Sequence, residues 1–379
     1  KDKNFQLSAF DLLASNFKKK KLFLDALKIY KLKLKQKKDY LIFYNIGCLF
    51  RELGRTYKAI YYFKKSKNYK SNYVPNLWNL SLCQLRIGKI KQGFILYEYR
   101  WLKKENPSIK KFTEIKNPSI LDELKNKTVL ISDEQGLGDA IQFSRFVVEL
   151  LKYTKKIIFA INPKLLNLLS NIHEEINVVN YENVKLDRID YHIPLCSLPK
   201  ILELEKTDEI KYYKLEIGNK SKVKLEKKNK LHIGVSWSGN PNYAYDEYRS
   251  IPFKKFKNIL KFKDINFYKL SQNTKSNEHA EYNSYPNLID FSYKSIYELS
   301  QIMSEFDLVI SSDTSIIHLA GILDVKSILL LNYNSDWRWF NDTKSTIWYP
   351  SVEIIKQKKF DSWDSVFQEL ERKLNILAY

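Results

Sequence analysis

"FDLVISSDTSIIHLAGILDVKSILLLN", residues 306–332, reads as strand, helix, strand. The apolar runs "DLVIS" and "SILLLN" have the length of buried parallel strands, and "TSIIHLAGIL" between them reads as a helix. That helix opens with a carboxylate, two hydroxyls and, one turn in, a histidine: Asp313, Thr314, Ser315 and His318. An N-cap followed by a half-buried His would explain them. So would a ligand site at the carboxyl end of a strand.

Working outward, the same alternation begins at "LHIGVSW" (231–237). It continues through "IPFKKFKNILK" as helix, "NFYKLS" as strand and "SIYELSQIMSEF" as helix. An earlier unit runs from "TVLIS" (128–132) through the loop "DEQGLGD" to the amphipathic helix "AIQFSRFVVELLKY". Its further strands are "KIIFAI" (156–161), "INVV" (176–179) and "DYHIPL" (190–195), with "PKLLNLLSNI" a helix between the first two. "GNKSKVKLEKKNK" (218–230) reads as a charged hinge between the units, and "DSWDSVFQELERKLNIL" as a final helix capped by Asp361 or Ser362. Two such α/β units, each with loops at its strands' carboxyl ends, leave a cleft where ligands bind.

The first hundred residues have another texture. "YNIGCLFRELGRTYKAIYYFKKS" (44–66) aligns without gaps on "WNLSLCQLRIGKIKQGFILYEYR" (78–100), a period of 34. Small residues at Gly47/Ser81 and Ala59/Gly93 let antiparallel helices approach closely, and Gly54/Gly88 suits the turn between them. This resembles the tetratricopeptide repeat, with a degraded copy over 9–31. Such helix pairs stack into a concave surface for protein segments. After Trp101, "KKENPSIKKFTEIKNPSILDELKNK" carries two Asn-Pro pairs and reads as a linker.

Charge follows this division. Of a formal +21, residues 1–105 carry +18, from 25 Lys/Arg against 7 Asp/Glu. Contact with an acidic surface is therefore a question for that segment, which a chain rich in Lys, Asn, Ile and Tyr also answers by coding bias alone. No apolar run reaches the ~18–20 residues of a membrane span. Cys48, Cys83 and Cys196 lack metal-site or disulfide spacing and suit a reducing compartment. The expectation is a cytoplasmic protein, peripheral at most to the inner face of the membrane.

"GLGD" (136–139) lies between strand and helix but is not GxGxxG, because Ile141 stands at the third glycine position, which disfavours a nicotinamide enzyme. It reads as a flexible turn that brings Asp139 to a helix N-terminus, where the carboxylate stays ionised. "GVSWSGNPNYAYDEYRSIP" (234–252) leaves its strand with Ser236, Trp237, Ser238 and Gly239, whose exposed amides and hydroxyls suit a diphosphate. Arg249 offers that phosphate a planar fork, and "KLSQN" (269–273) brings Ser271 and Gln272 to the same cleft. Asp313 suits sugar hydroxyls, while Thr314 and Ser315 offer donors to phosphate. His318 reads as packed or supporting. Trp337, Trp339 and Trp348 read as core or lid.

"GLGDAIQFSRF", "GVSWSGNPN…RSIP", "LSQN", "DLVISSDTSIIHLAGIL" and "NSDWRWF…STIWYPSVEII" occur in an order and spacing that resemble the tetratricopeptide-linked relatives of the ADP-heptose–lipopolysaccharide heptosyltransferases, glycosyltransferase family 9. The resemblance implies a GT-B fold, two Rossmann-like domains facing a cleft, preceded here by an all-α repeat domain. It implies boundaries at 1–105 for the repeats, 106–224 for the acceptor and catalytic-base domain, 225–355 for the nucleotide-sugar domain, and 356–379 for a helix packing back on the cleft domains. It further implies Asp139 as catalytic base, Asp313–Thr314 and Arg249 on the donor, Gly136, Gly138 and Gln142 on the acceptor side, and neither cofactor nor catalytic metal. "FSRF" departs from the small-residue pattern after Gly-Asp in the lipopolysaccharide enzymes, so their acceptor does not carry over. The expected activity is sugar transfer from a nucleotide-diphospho-sugar to an acceptor hydroxyl, on a protein recruited by the repeats. A surface-glycan heptosyltransferase and a non-catalytic repeat scaffold are the alternatives; nucleic acid is disfavoured as a partner.

Overall fold

The computed structural model describes residues 2–102, 112, 114–218, 225, 230–243, 245–272, 282, 284–341 and 344–378. The domain boundaries expected at 105 and 224 and most of the hinge at 218–230 lie outside the described residues. Contacts divide the chain into two compact units. One comprises Lys1–Pro107, Glu203–Thr207 and Asp336–Asn341; the other comprises Ser108–Leu202, Asp208–Ser335 and Asp342–Tyr379.

The first unit is helical: α1 (Asp2–Lys19), α2 (Phe23–Gln36), α3 (Tyr40–Glu52), α4 (Thr56–Tyr69), α5 (Val74–Arg86) and α6 (Ile90–Tyr97). The starts of α3 and α5, and of α4 and α6, are each 34 residues apart, the period of the sequence repeat. Gly54 and Gly88 turn the chain with φ of 66° and 75°, where a side chain would be strained. A Cβ on Gly47 would lie 2.6 Å from the Phe63 ring, and one on Gly93 would lie 2.5 Å from Leu85, so each helix pair closes on a glycine. Ser81 Oγ donates to the Gly93 carbonyl at 3.1 Å. Trp337 belongs to this unit, its ring 5.8 Å from Phe94 and 5.9 Å from Tyr97. Lys33, within the basic run at 31–38, is buried and paired with Asp11, while Lys31, Lys35, Lys37 and Lys38 are exposed.

The second unit holds two sheets whose strands are all parallel. β1 (Thr128–Ser132), β2 (Lys156–Ile161), β3 (Ile176–Asn180) and β4 (Tyr191–Pro194) lie in the order β3-β2-β1-β4. β5 (Leu231–Ser236), β6 (Ile265–Lys269), β7 (Leu288–Asp290), β8 (Leu308–Ser312), β9 (Ser327–Leu331) and β10 (Val352–Lys356) lie in the order β10-β9-β8-β5-β6-β7. Counted within its own sheet, the second order is 6-5-4-1-2-3, that of a doubly wound dinucleotide-binding fold. Near-continuous apolar strands such as "SILLL" follow from burial on both faces. The helices are α7 (Leu137–Leu150), α8 (Pro163–Leu169), α9 (Leu198–Ile201), α10 (Asp246–Arg249), α11 (Ile296–Met303), α12 (Ser315–Ile322) and α13 (Asp364–Ala378). Among the described residues no helix is long and apolar enough to cross a membrane.

Several elements depart from the sequence reading. "IPFKKFKNILK" forms a 3₁₀ helix over Phe253–Asn258, because Phe253 and Phe256, three apart, both enter the core. β7 and β10 were not read as strands: β7 is a three-residue edge, and β10 mixes charge with apolar residues. The last helix begins at Asp364, not behind an Asp361 or Ser362 cap. Asp361 has a φ of 56°, and Trp363 goes into the core instead. Val366, Phe367, Leu370 and Leu374 of α13 join the core of the second sheet, on which that helix packs.

Candidate functional site

In the second sheet the strand order reverses between β5 and β8, and the loops leaving their carboxyl ends meet there. Arg249 is the tie. Its Nε donates to Asp246 Oδ1 at 2.9 Å, its Nη1 donates to the Asp313 carbonyl at 2.9 Å, and its guanidinium lies 4.6 Å from the Tyr243 ring centre. A Cβ on Gly239 would fall 2.5 Å from Arg249 Nη2, so that glycine is what lets the guanidinium lie against the loop after β5. Thr314 caps α12, its hydroxyl accepting from Ile316 N at 3.4 Å and lying 3.2 Å from Ser311 Oγ. Ser315 is the first residue of α12 and is half-buried. The capping and ligand readings of this junction are compatible: Thr314 caps, while Asp313 and Ser315 on either side of it are half-buried.

In the first sheet, β1 leads through Asp133–Gln135 into α7. Gly138 and Asp139 are already helical, so "GLGD" is a helix start rather than a flexible turn. Asp139 Oδ2 accepts from Gly136 N at 2.9 Å, so the third residue of α7 reaches back to the amide of the residue before the helix. Asp133 Oδ2 accepts from Asn162 N, and Glu134 Oε1 accepts from Cys196 N, both at 3.0 Å. Those two buried acids therefore brace the loop. Beneath them Ser132 Oγ sits 2.8 Å from His192 Nε2, and burial pushes the His192 imidazole down to about 4.

The two helix N-termini meet. A Cβ on Gly138 would lie 2.8 Å from His318 Cδ2, 3.5 Å from His318 Nε2 and 3.5 Å from Ser315 Cα. The first turn of α7 therefore rests directly on the first turns of α12. His318 Nδ1 is 3.0 Å from the Tyr349 hydroxyl. Tyr349 in turn lies across α12 where Gly321 leaves room, since a Cβ there would come within 2.3 Å of its ring.

Other expected donor residues are used differently. Trp237 is a core residue, packed on Phe253, Phe256 and Tyr282, and does not reach the crevice. The amides after β5 are not a bare cradle. Those of Trp237 and Ser238 donate to Ser271 Oγ at 3.0 and 3.4 Å, and that of Gly239 donates to Ser250 Oγ at 3.2 Å. Ser271, 3.2 Å from Ser236 Oγ, organises that loop from within the protein. Gln272 is exposed and donates to the Tyr293 carbonyl. Gln142 is fully buried in α7, so it does not line an acceptor surface. Trp337, Trp339 and Trp348 are all buried.

Sequence reasoning passed over Arg145 and Tyr349. Arg145 is buried, donates from Nε to the Gln142 carbonyl and from Nη1 to the Trp348 carbonyl, and lies 5.0 Å from the Tyr349 ring centre. An arginine inside the apolar "FSRFVV" was the available signal. Among the described residues, no group of three or more His, Cys, Asp or Glu side chains is placed to hold a metal ion.

No protein-family model and no curated protein matches the chain. Among solved structures it is similar to the iron-containing dodecameric glycosyltransferase TibC of enterotoxigenic E. coli, at 13% identity and a TM-score of 0.45 over 66% of this chain and 78% of that one. It is similar to a glycosyl transferase family 9 protein from Veillonella parvula, at 12% identity and 0.44 over 68% and 98%. It is also similar to the O-GlcNAc transferase of Thermobaculum terrenum, at 9% identity and 0.28 over 88% and 84%.

Proposed function

We propose that this chain transfers a sugar from a nucleotide-diphospho-sugar to an acceptor hydroxyl by direct displacement. One observation carries the reading: the switch-point loops of the second sheet, tied by Arg249 to Asp313, open beside α12, whose first turn abuts the Gly-Leu-Gly-Asp start of α7. A donor in the crevice would set its diphosphate against Arg249 and the α12 N-terminus, which stabilise the charge of the leaving group. Asp313, an acceptor of hydrogen bonds, suits the sugar hydroxyls. Asp139 stands at the first turn of the opposing helix. As base it takes the proton of the acceptor hydroxyl while that oxygen attacks the anomeric carbon and the nucleoside diphosphate departs. This reading calls for neither cofactor nor metal. The helical repeats, with exposed lysines and the rings of Tyr57 and Tyr61, are the proposed recruiting surface for an acceptor protein.

Calorimetry with a panel of nucleotide sugars tests the donor half. A charge-assisted contact is worth roughly 1.5–3 kcal/mol, so Arg249→Ala and Asp313→Ala should each weaken donor binding about 10–150-fold. Arg249→Ala also frees the Asp313 carbonyl, so its melting temperature must be read alongside. Unchanged affinity in both folded variants would remove this crevice as the donor site.

A further inference from the structure

The second sheet carries a cavity at the edge opposite the crevice. Its volume is about 460 Å³, and it lies at the amino ends of β8, β9 and β10, where Leu308, Ser327 and Val352 begin their strands. Ser327 is in register with Val309 on one side and Val352 on the other, so these ends share one edge. The strands are parallel, so the switch-point loops leave from the far edge, about 16 Å away for the five residues of β8 at ~3.3 Å each. Small-molecule sites span ~300–1,000 Å³, and this cavity falls within that range. Its floor is aliphatic, with Leu308, Ile328 and Val352 buried. Its wall is the last turn of α13. Val366, Leu370, Leu374 and Leu377 form a stripe at helical spacing, but only the first three join the core. Leu377 stays 37% exposed and Ile376 67% exposed, and both line the cavity.

Three lysines line the same cavity against one carboxylate. Lys373 is paired with Glu353 at 2.7 Å. Lys326 and Lys344 are exposed and make no ion pair among the described residues. Lys344 is held in place by its backbone, its carbonyl accepting from Ile354 N of β10 at 2.9 Å. None of the described residues lining the cavity is aromatic, a side-chain amide or an arginine, so a nucleobase or sugar ring finds no surface to stack on. We propose that this cavity binds a single-chain amphipathic anion, an aliphatic tail ending in a phosphate or carboxylate. The tail lies over the aliphatic floor and covers Ile376 and Leu377. The head sits with Lys326 and Lys344, because the carboxyl end of α13 disfavours a negative charge beside it. This site stands apart from the sugar-transfer reading and shares no residue with the crevice.

Calorimetry on the full-length chain tests it, with decyl phosphate below its micellar concentration, 1-decanol as the tail alone and inorganic phosphate as the head alone. Decyl phosphate should bind saturably, one per chain, and at least ~10-fold more tightly than either part. Across alkyl phosphates of increasing length, affinity should rise about fourfold per methylene and level off once the chain fills the cavity. Ile376→Asp should weaken binding of decyl phosphate at least ~10-fold, and so should Lys326→Glu combined with Lys344→Glu. All three positions are exposed, so both variants should melt close to the wild type. Absence of saturable binding, equal affinity for inorganic phosphate or decanol, or full affinity in both variants would overturn the proposal. So would affinity that climbs with chain length without levelling, or displacement of decyl phosphate by a nucleotide sugar. Phosphatidylglycerol vesicles that hold the protein undisturbed by decyl phosphate would make the end of α13 a membrane contact instead, which also overturns it. Failure of the chain to transfer any sugar would refute the transferase reading and leave these titrations unaffected.

Discussion

Gly138→Ala isolates the junction between the two helices. The added methyl would sit 2.8 Å from His318 Cδ2, where carbon atoms ordinarily rest ~3.5–4.0 Å apart, so the helices must separate or the ring must move by about 1 Å. His318 is not an easily displaced side chain, since its Nδ1 is held by Tyr349 and its ring is buried. Overpacking of this kind costs about 1–3 kcal/mol, and replacing a helical glycine by alanine returns about 0.5–1 kcal/mol. The net loss of ~0–2.5 kcal/mol should lower the melting temperature by only a few degrees. Turnover should suffer far more, because a misplacement of ~1 Å between reacting groups costs on the order of 10²-fold. Calorimetric melting and steady-state transfer on the same preparation separate the two effects. A variant that melts lower but turns over within twofold of the wild type would show that chemistry does not depend on this contact, and the site assignment would fall with it.

Asp139→Asn keeps the size of the side chain and an acceptor for Gly136 N, so turnover should fall ~10²–10⁴-fold with donor affinity nearly unmoved; near-normal turnover would disqualify Asp139 as the base. His192 has a folded-state value of about 4 against 6.5 for the unfolded chain, so the unfolded state binds the extra proton between those limits. Stability is therefore full above pH ~6.5 and declines by up to about 3 kcal/mol as pH falls toward 4. His192→Gln should flatten that part of the pH–stability curve, and an unaltered curve would contradict the burial argument. Gly93→Ala places a methyl 2.5 Å from Leu85 Cδ2 and 3.2 Å from the Leu85 amide nitrogen; about 1–3 kcal/mol of overpacking against about 0.5–1 kcal/mol returned by removing a helical glycine should leave a net loss of ~0–2.5 kcal/mol, read by chemical denaturation.

The parallel strands and the repeats were legible because each has a local cause. "TVLIS", "KIIFAI" and "SILLL" are apolar runs bounded by polar loops, and the 34-residue spacing is stamped on both helices of each pair. β7 was not, since a three-residue edge strand owes its existence to its neighbour β6. Arg249, Asp313 and Asp139 stood out in the sequence as polar residues in the segments after strands, and the structure puts Arg249 on the Asp313 carbonyl and Asp139 in the first turn of α7. Trp237 and Gln142 were misread because chain proximity to a motif says nothing about which way a side chain turns: the ring of Trp237 found Phe253, Phe256 and Tyr282, distant in sequence. Arg145 and Tyr349 lie 204 positions apart, and their meeting depends on the crossing of α7 with the second sheet's elements. No local pattern encodes such an encounter.

Trp337 seats on Phe94 and Tyr97 within the helical unit, although it is encoded far downstream. During synthesis the repeat helices leave the ribosome first, but that seat stays open until roughly 240 further residues have been added, about 12–50 s at ~5–20 residues per second. For that interval the nascent chain carries a finished array of helices with aromatic rings uncovered, a target for a chaperone or for a neighbouring nascent chain. A truncation at residue 105 would make that state permanent, so the helical unit is better altered by point substitution than by excision.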